Sequence, residues 1–166
     1  MEWFDLTGFE SYQTGLSYTN SNLVIAGKEY QVRVRAHNVH GWGPFSQITK
    51  IKSTSVPEQP QPPTTLIRNQ SVKIAWVAPF DSYAALTEYT VLIAHSDLVT
   101  YSDVLTYCDG ANPVTFALQA CEIPLEVLMS SPFWLAPGDQ VLAKVKAANS
   151  VGFSQLSEPT SSGALI

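Results

Sequence analysis

Residues 30–46 read YQVRVRAHNVHGWGPFS. Tyr30, Val32, Val34 and Ala36 alternate with Gln31, Arg33, Arg35 and His37, the period of two that puts successive side chains on opposite faces of a strand. The apolar row is expected to belong to a core and the basic row to face solvent. The same cadence returns over 137–154, PGDQVLAKVKAANSVGFS, where Val141, Ala143, Val145 and Ala147 alternate with Leu142, Lys144, Lys146 and Ala148. Gly27, Asn38 and Gly41 line up with Gly138, Asn149 and Gly152. Two copies of one turn–strand–turn unit, about a domain's length apart, predict tandem modules.

Composition sets the bounds. The chain has 166 residues, 45% hydrophobic and only 14% charged, a globular make-up and not a disordered one. The net charge of -5 is unevenly spread: residues 1–56 are close to neutral and residues 57–166 carry the acidity. Neither half is basic enough to track a phosphate backbone, which excludes nucleic acid as an expected partner. No run approaches the length of a membrane span. The start, MEWFDLTGFE, is acidic and lacks the apolar stretch of a signal peptide. Met1 is therefore either the start of a cytosolic protein or the edge of a window on a longer chain.

Between the two copies, SVPEQPQPPTT reads as a stiff linker leading into an edge strand, because proline removes ladder donors and restricts the backbone. Strand signals then recur: 71–76 (SVKIAW), 86–94 (LTEYTVLIA), 99–107 (VTYSDVLTY), a hairpin turn at Asp109-Gly110, 114–123 (VTFALQACEI) and the strand ending near Asn149. Only 125–135 (LEVLMSSPFWL) leaves room for a short helical turn, the alternative being an irregular run-in to the next strand. Short strands with frequent turn residues describe an antiparallel sandwich.

These residues resemble a known family. AGKEYQVRVRAHNVHGWGPFS is similar to the penultimate strand and following turn of a fibronectin type III domain, whose pattern is Gly-x-x-Tyr-x-Val-x-Val-x-Ala-x-Asn-x-x-Gly. PPTTLIRNQSVKIAWVAP resembles that family's opening, with Trp76 as the core tryptophan and Pro79 shortly after, and LTEYTVLIA resembles its third strand, with Tyr89. The resemblance implies an all-β, antiparallel β-sandwich of immunoglobulin-like, fibronectin type III topology, one partial and one complete module in tandem. Residues 1–55 would be a partial module holding the later strands only, 56–63 a proline-rich linker, and 64–166 a module with an enlarged, cysteine-containing middle. Two departures stand out. The family's corner tyrosine is present as Tyr30 but replaced by Val141 in the second copy, where its hydroxyl-to-backbone bond is lost. The enlarged middle, with Cys-Asp-Gly and a later Cys-x-Ile-Pro, resembles the repeats of large surface proteins of ciliated protists.

Cys108 and Cys121 are the only cysteines. An even count in a β-module suggests one disulfide tying the inserted region, and two buried thiols in a reducing cell are the alternative. Asn69-Gln70-Ser71 is an N-glycosylation sequon placed where a turn between the first two strands would expose it.

Catalytic constellations fare poorly. His37 and His40 lack a neighbouring Cys, Asp or Glu and read as solvated strand-end histidines. His95, Ser96 and Asp97 have the types of a triad, but three consecutive residues cannot converge on one reacting atom. Asp97, Asp103 and Asp109 lack the spacing of a calcium loop and read as turn acids. No glycine-rich phosphate cradle is present. No catalytic, cofactor-binding or metal-ligating residue is therefore expected, and no cofactor. Among the aromatics, Trp76 is expected in the core, whereas Trp3, Phe4, Phe133 and Trp134 are candidates for exposure. Trp42 and Trp134 are the candidate contacts to a neighbouring module or a ligand.

Residues 1–55 hold too few strands to close a sandwich, and a small sheet with one apolar face is marginal in water. The first module is expected to continue upstream in a longer protein, the alternative being strands supplied by another subunit. The functional expectation is a non-catalytic structural or adhesive module of a long extracellular repeat protein, in a cell-surface coat or filament. Its partners would be neighbouring modules of the same or identical chains. The rival is a recognition module that binds glycan or protein.

Overall fold

The computed structural model describes residues 3–8, 13–19 and 24–166; residues 1, 2, 9–12 and 20–23 of the expected first module lie outside the described residues. The chain divides into two compact units, Met1–Ser53 and Thr54–Ile166.

The described part of the first unit holds strands β1 (Glu29–Val32), β2 (His37–Asn38), β3 (Gly41–Trp42) and β4 (Thr49–Lys52). β1 pairs antiparallel with β4, Tyr30 opposite Ile51, and β2 with β3, His37 opposite Trp42. The Tyr30 hydroxyl accepts a 2.7 Å bond from the Ile25 amide, the corner bond the sequence anticipates. The two faces are not covered as the alternation predicts. Val34 is 68% exposed and Ala36 is exposed, while Arg33 and Arg35 on the other face are half-buried. Aromatic rings packed on the basic row are the reason, as described below.

The second unit is an antiparallel β-sandwich. Its elements are β5 (Thr64–Arg68), β6 (Ser71–Ala75), β7 (Leu86–Ala94), β8 (Tyr101–Ser102), α1 (Pro113–Leu118), β9 (Ala120–Pro124), α2 (Leu125–Leu128), β10 (Gln140–Val141), β11 (Ala143–Asn149) and β12 (Ala164–Leu165). One sheet runs β5–β6–β9 and the facing sheet β11–β7–β8, with β10 paired to β12. Alternate residues point inward: Val72 and Ile74 from β6, Ile123 from β9, Val91 and Ile93 from β7, and Val145 and Ala147 from β11 are essentially fully buried. Trp76 meets Tyr89 edge-on at 5.3 Å at one end of this core. The inward row Val141, Ala143, Val145, Ala147 is fully buried, as the alternation predicts.

Four local readings change. Residues 114–118, expected in a strand, are helical, because Asn112 caps the Val114 amide and Pro113 opens α1 with a pre-set φ. Asp109-Gly110 does not turn a hairpin. Gly110 is buried against β7, its carbonyl bound to the Tyr89 amide, and a Cβ there would fall on the Tyr89 carbonyl. Phe133 is buried (2% exposed), whereas Trp134 beside it stands out (63% exposed). Residues 56–63, read as a linker, lie along the second unit: Pro57, Pro60 and Pro63 are buried, and Glu58 donates its amide to the Phe80 carbonyl. The ambiguous 125–135 stretch does begin with a helical turn, α2.

The outer edge of β11 is closed by side chains. Ser154, Ser157 and Thr160, three apart, are buried, and their hydroxyls accept from the amides of Ala147, Val145 and Ala143, two apart. Their own amides donate to the carbonyls of the same three residues. The Ser154 and Ser157 hydroxyls pass their protons to the carbonyls of Gln155 and Glu158, so each serves as donor and acceptor at once. Ser157→Ala is expected to lower unfolding stability by about 1–3 kcal/mol, since the buried Val145 amide loses its acceptor. Urea unfolding followed by Trp76 fluorescence measures this, and Gln155→Ala, at an exposed position between the contacts, should leave the midpoint unchanged.

Candidate functional site

The first unit carries an alternating stack of cations and rings. The Arg33 guanidinium lies 4.0 Å from the centroid of Trp3 and 3.9 Å from that of Phe45. The Arg35 guanidinium lies 4.5 Å from both Phe45 and Trp42. Trp42 continues onto His37, ring centroids 4.7 Å apart and edge-on. Local geometry builds the stack from the sequence. Arg33, Arg35 and His37 share a face because they are two apart, and the β2–β3 hairpin folds Trp42 back opposite His37. The chain then runs antiparallel beside its own strand. Gly43 donates to the Ala36 carbonyl, Ser46 to the Val34 carbonyl, and the Val34 amide to the Ser46 hydroxyl. That pairing lays Phe45 between the two arginines. Each cation–ring contact at such a half-exposed place is worth about 0.5–1 kcal/mol. The rings line an open groove of about 420 Å³ together with Tyr18 and Asp5.

The second unit repeats the device more weakly. Val145 and Ser157 exchange the same two bonds as Val34 and Ser46, and Ser154 donates to Ala147 as Gly43 does to Ala36. Asn149 accepts from the Val151 amide as Asn38 does from that of His40. At the arginine positions stand Lys144 over Tyr101 (4.5 Å) and Lys146 over Phe153 (4.2 Å), one ring each instead of two. Sequence reasoning missed this stack because it assigned the arginines to bare solvent. The available signal was Trp42 and Phe45 three apart on the returning segment, opposite two arginines.

The other singled-out residues are dispersed. Cys108 and Cys121 form a disulfide, Cα atoms 5.2 Å apart, which ties the loop before α1 to β9. Asn69 is exposed on the β5–β6 turn with φ +53°, a left-handed conformation Asn tolerates. Trp134 also has positive φ, +53°, and projects from the segment after α2. His95 does meet a serine, but it is Ser102 across the β7–β8 hairpin (2.8 Å), not Ser96. Asp97 spends its carboxylate on the turn: Oδ1 accepts from the Val99 and Thr100 amides, and Oδ2 from the Thr100 hydroxyl at 2.6 Å. These bonds, the Thr100 hydroxyl first, hold its pKa at about 2. Asp109 likewise closes a turn through the Ala111 amide. Among the described residues no three His, Cys, Asp or Glu side chains group as metal ligands, and no helix is long and apolar enough to cross a membrane.

Comparison with known proteins adds the fold and no more. No family model matches the chain, and no curated protein matches it. Among solved structures, titin domains A168–A170 align with a TM-score of 0.50 over 70% of this chain at 17% identity. The chicken CNTN1 FN1–FN3 domains align at 0.45 over 64% of it at 16% identity. The chain spans 35% and 32% of the lengths of those two structures. The titin likeness agrees with the sheets described above, and what it shows is the fold, an all-β antiparallel sandwich.

Two outcomes follow from the second unit's geometry. The Asp97 carboxylate is more acidic folded than unfolded, so its contribution is complete above the unfolded value of 3.8 and is lost as pH falls through about 2. The Thr100 amide resonance should titrate with a midpoint near 2 and lose that step in Asp97→Asn. Reducing the Cys108–Cys121 bond, which closes a loop of sequence separation 13, should cost about 3 kcal/mol in urea unfolding. Coincident curves with and without reductant would show that this bond contributes nothing.

Proposed function

We propose that this chain is a non-catalytic structural and adhesive stretch of a long extracellular repeat protein, part of a surface coat or filament. In this reading 1–55 is a partial fibronectin type III-like module and 64–166 a complete one. The observation that carries it is the double use of one hairpin. The Val34–Ser46 and Val145–Ser157 units have the same hydrogen bonds, yet Val145 is fully buried and Val34 is 68% exposed. Val145 lies in a core, whereas Val34 is open among the described residues, as suits a module that packs on a neighbour in an array. The disulfide supports an oxidising compartment, and the exposed turn at Asn69 suits a glycan. Trp42 and Trp134, 41% and 63% exposed, are the proposed contacts to neighbouring modules of the same or identical chains.

The test is made on material from the source cells. Electron microscopy should show a fibre or coat of regularly spaced beads, and peptide mass spectrometry should find Cys108 bonded to Cys121 and a glycan on Asn69. A lone particle with free thiols and bare Asn69 would sink the extracellular array and favour an intracellular scaffold.

A second reading, recognition of glycan or protein, is favoured by the arginine–aromatic stack of the first unit, which the second unit carries only as lysines.

A further inference from the structure

The arginines of the stack have their faces occupied and their edges free. Arg33 and Arg35 are each held against two rings, but neither has a carboxylate or hydrogen-bond acceptor among the described residues. The one ion pair among those residues is Lys50 with Glu29, 3.1 Å apart on the neighbouring strand pair. A guanidinium carries five N–H donors in its plane, and stacking leaves all of them available at the rim. Stacking also removes the rotamer freedom that an isolated surface arginine would lose on binding. Two such forks two residues apart on an extended chain stand about 7 Å from each other. Lys50, paired with Glu29, shares the face of Gln31 beside them, and Asp5 lines the groove with the two arginines. In the second unit the equivalent lysines, with one ring each, present point charges and no fork.

We propose that the Arg33–Arg35 face, with Trp42, Phe45 and Trp3, binds an acidic polysaccharide. Paired guanidiniums take successive sulfate or carboxylate groups bidentately, and the indole edges that remain exposed pack against the apolar faces of the intervening sugar rings. The inference deepens the recognition reading and rests on it. A polysaccharide is favoured over a nucleic acid because the disulfide belongs to an oxidising compartment.

The experiment titrates the full chain with a heparin decasaccharide, with a chemically desulfated, N-acetylated and carboxyl-reduced form of it, and with a DNA duplex of matched charge. The expected result is saturable binding of heparin that weakens as salt rises, with the neutral form bound at least about tenfold more weakly, a difference of about 1.4 kcal/mol. Arg33→Lys/Arg35→Lys, which keeps the charge and loses the fork, should weaken heparin binding about tenfold or more, while Lys144→Gln/Lys146→Gln should leave it unchanged. Because the arginine variants can unfold the first unit, the indole N–H resonances of the unsubstituted chain are followed as well: Trp42 and Trp3 should shift with heparin and Trp76 should not. Equal loss in the two double variants, equal binding of DNA, or shifts spread over both units would overturn the proposal. Binding of the neutral oligosaccharide alone would overturn it and leave the broader recognition reading standing.

Discussion

Everything in the second unit hangs on the satisfaction of both edges of β11. This strand supplies a full row of the core, so its backbone cannot be left to water on either side. On one side it pairs with β7 over its whole length. On the other side a regular strand would expose a fresh ladder and move the problem outward by one strand. Instead Ser154, Ser157 and Thr160 use hydroxyl and amide together, so one residue in three covers one residue in two of β11. The residues between them bulge outward, with Gln155, Leu156 and Glu158 exposed. The edge therefore ends in side chains with no repeating pattern of free N–H and C=O groups, which disfavours pairing with another chain. Buried prolines at 57, 60 and 63 run along the start of the unit, and proline has no N–H to offer a neighbour. Edges closed in this way guard against pairing in the wrong places.

The described part of the first unit reuses the same strand and hairpin without an opposing sheet, and its physics inverts. In the second unit the apolar row is covered and the lysine row is lightly shielded. In the first, Val34 is largely bare and the arginine row has drawn the aromatic rings. The choice of arginine matters here. A weakly hydrated, planar cation accepts a ring on each face, whereas an ammonium is strongly hydrated and touches one ring at its tip. Lys144 and Lys146 have one ring each because that is what lysine supports.

The sandwich was legible because alternation and core tryptophan are one-dimensional signals. Val141 to Ala147, Trp76 and Tyr89 fell where period two and the family pattern put them. The corner bond of Tyr30 was legible for the same reason. The helix at Pro113 was not. A run such as VTFALQACEI is β-branched and aromatic enough to read as a strand, and the Asn-Pro pair that starts the helix was passed over. Gly110 was misassigned because Asp-Gly signals a hairpin by local preference, whereas here the glycine is required by the approach of a distant strand, which no local window contains. The three-residue spacing of the hydroxyls was visible in FSQLSEPT, yet it has meaning only beside the two-residue spacing of β11.

The arginine stack shows why the site was harder to read than the fold. Alternation decides which residues share a face, but it does not say which face is covered. That depends on how much apolar surface lies elsewhere in the unit. In a closed sandwich the apolar row wins, because burying it gains about 25 cal/mol per Å² over two facing sheets. In the described part of the first unit no second sheet faces β1 and β4, so that gain is missing and ring-on-guanidinium contacts of about 0.5–1 kcal/mol each decide the packing. The stack does not depend on the open apolar row, since cation–ring contacts also form on β11, whose apolar row is covered. Covering Val34 and Ala36 with a facing sheet would not compete with the stack, because the two lie on opposite faces of the strand. Completing the first module through its apolar row and binding a ligand through its basic row are compatible, and a module in an array can do both at once.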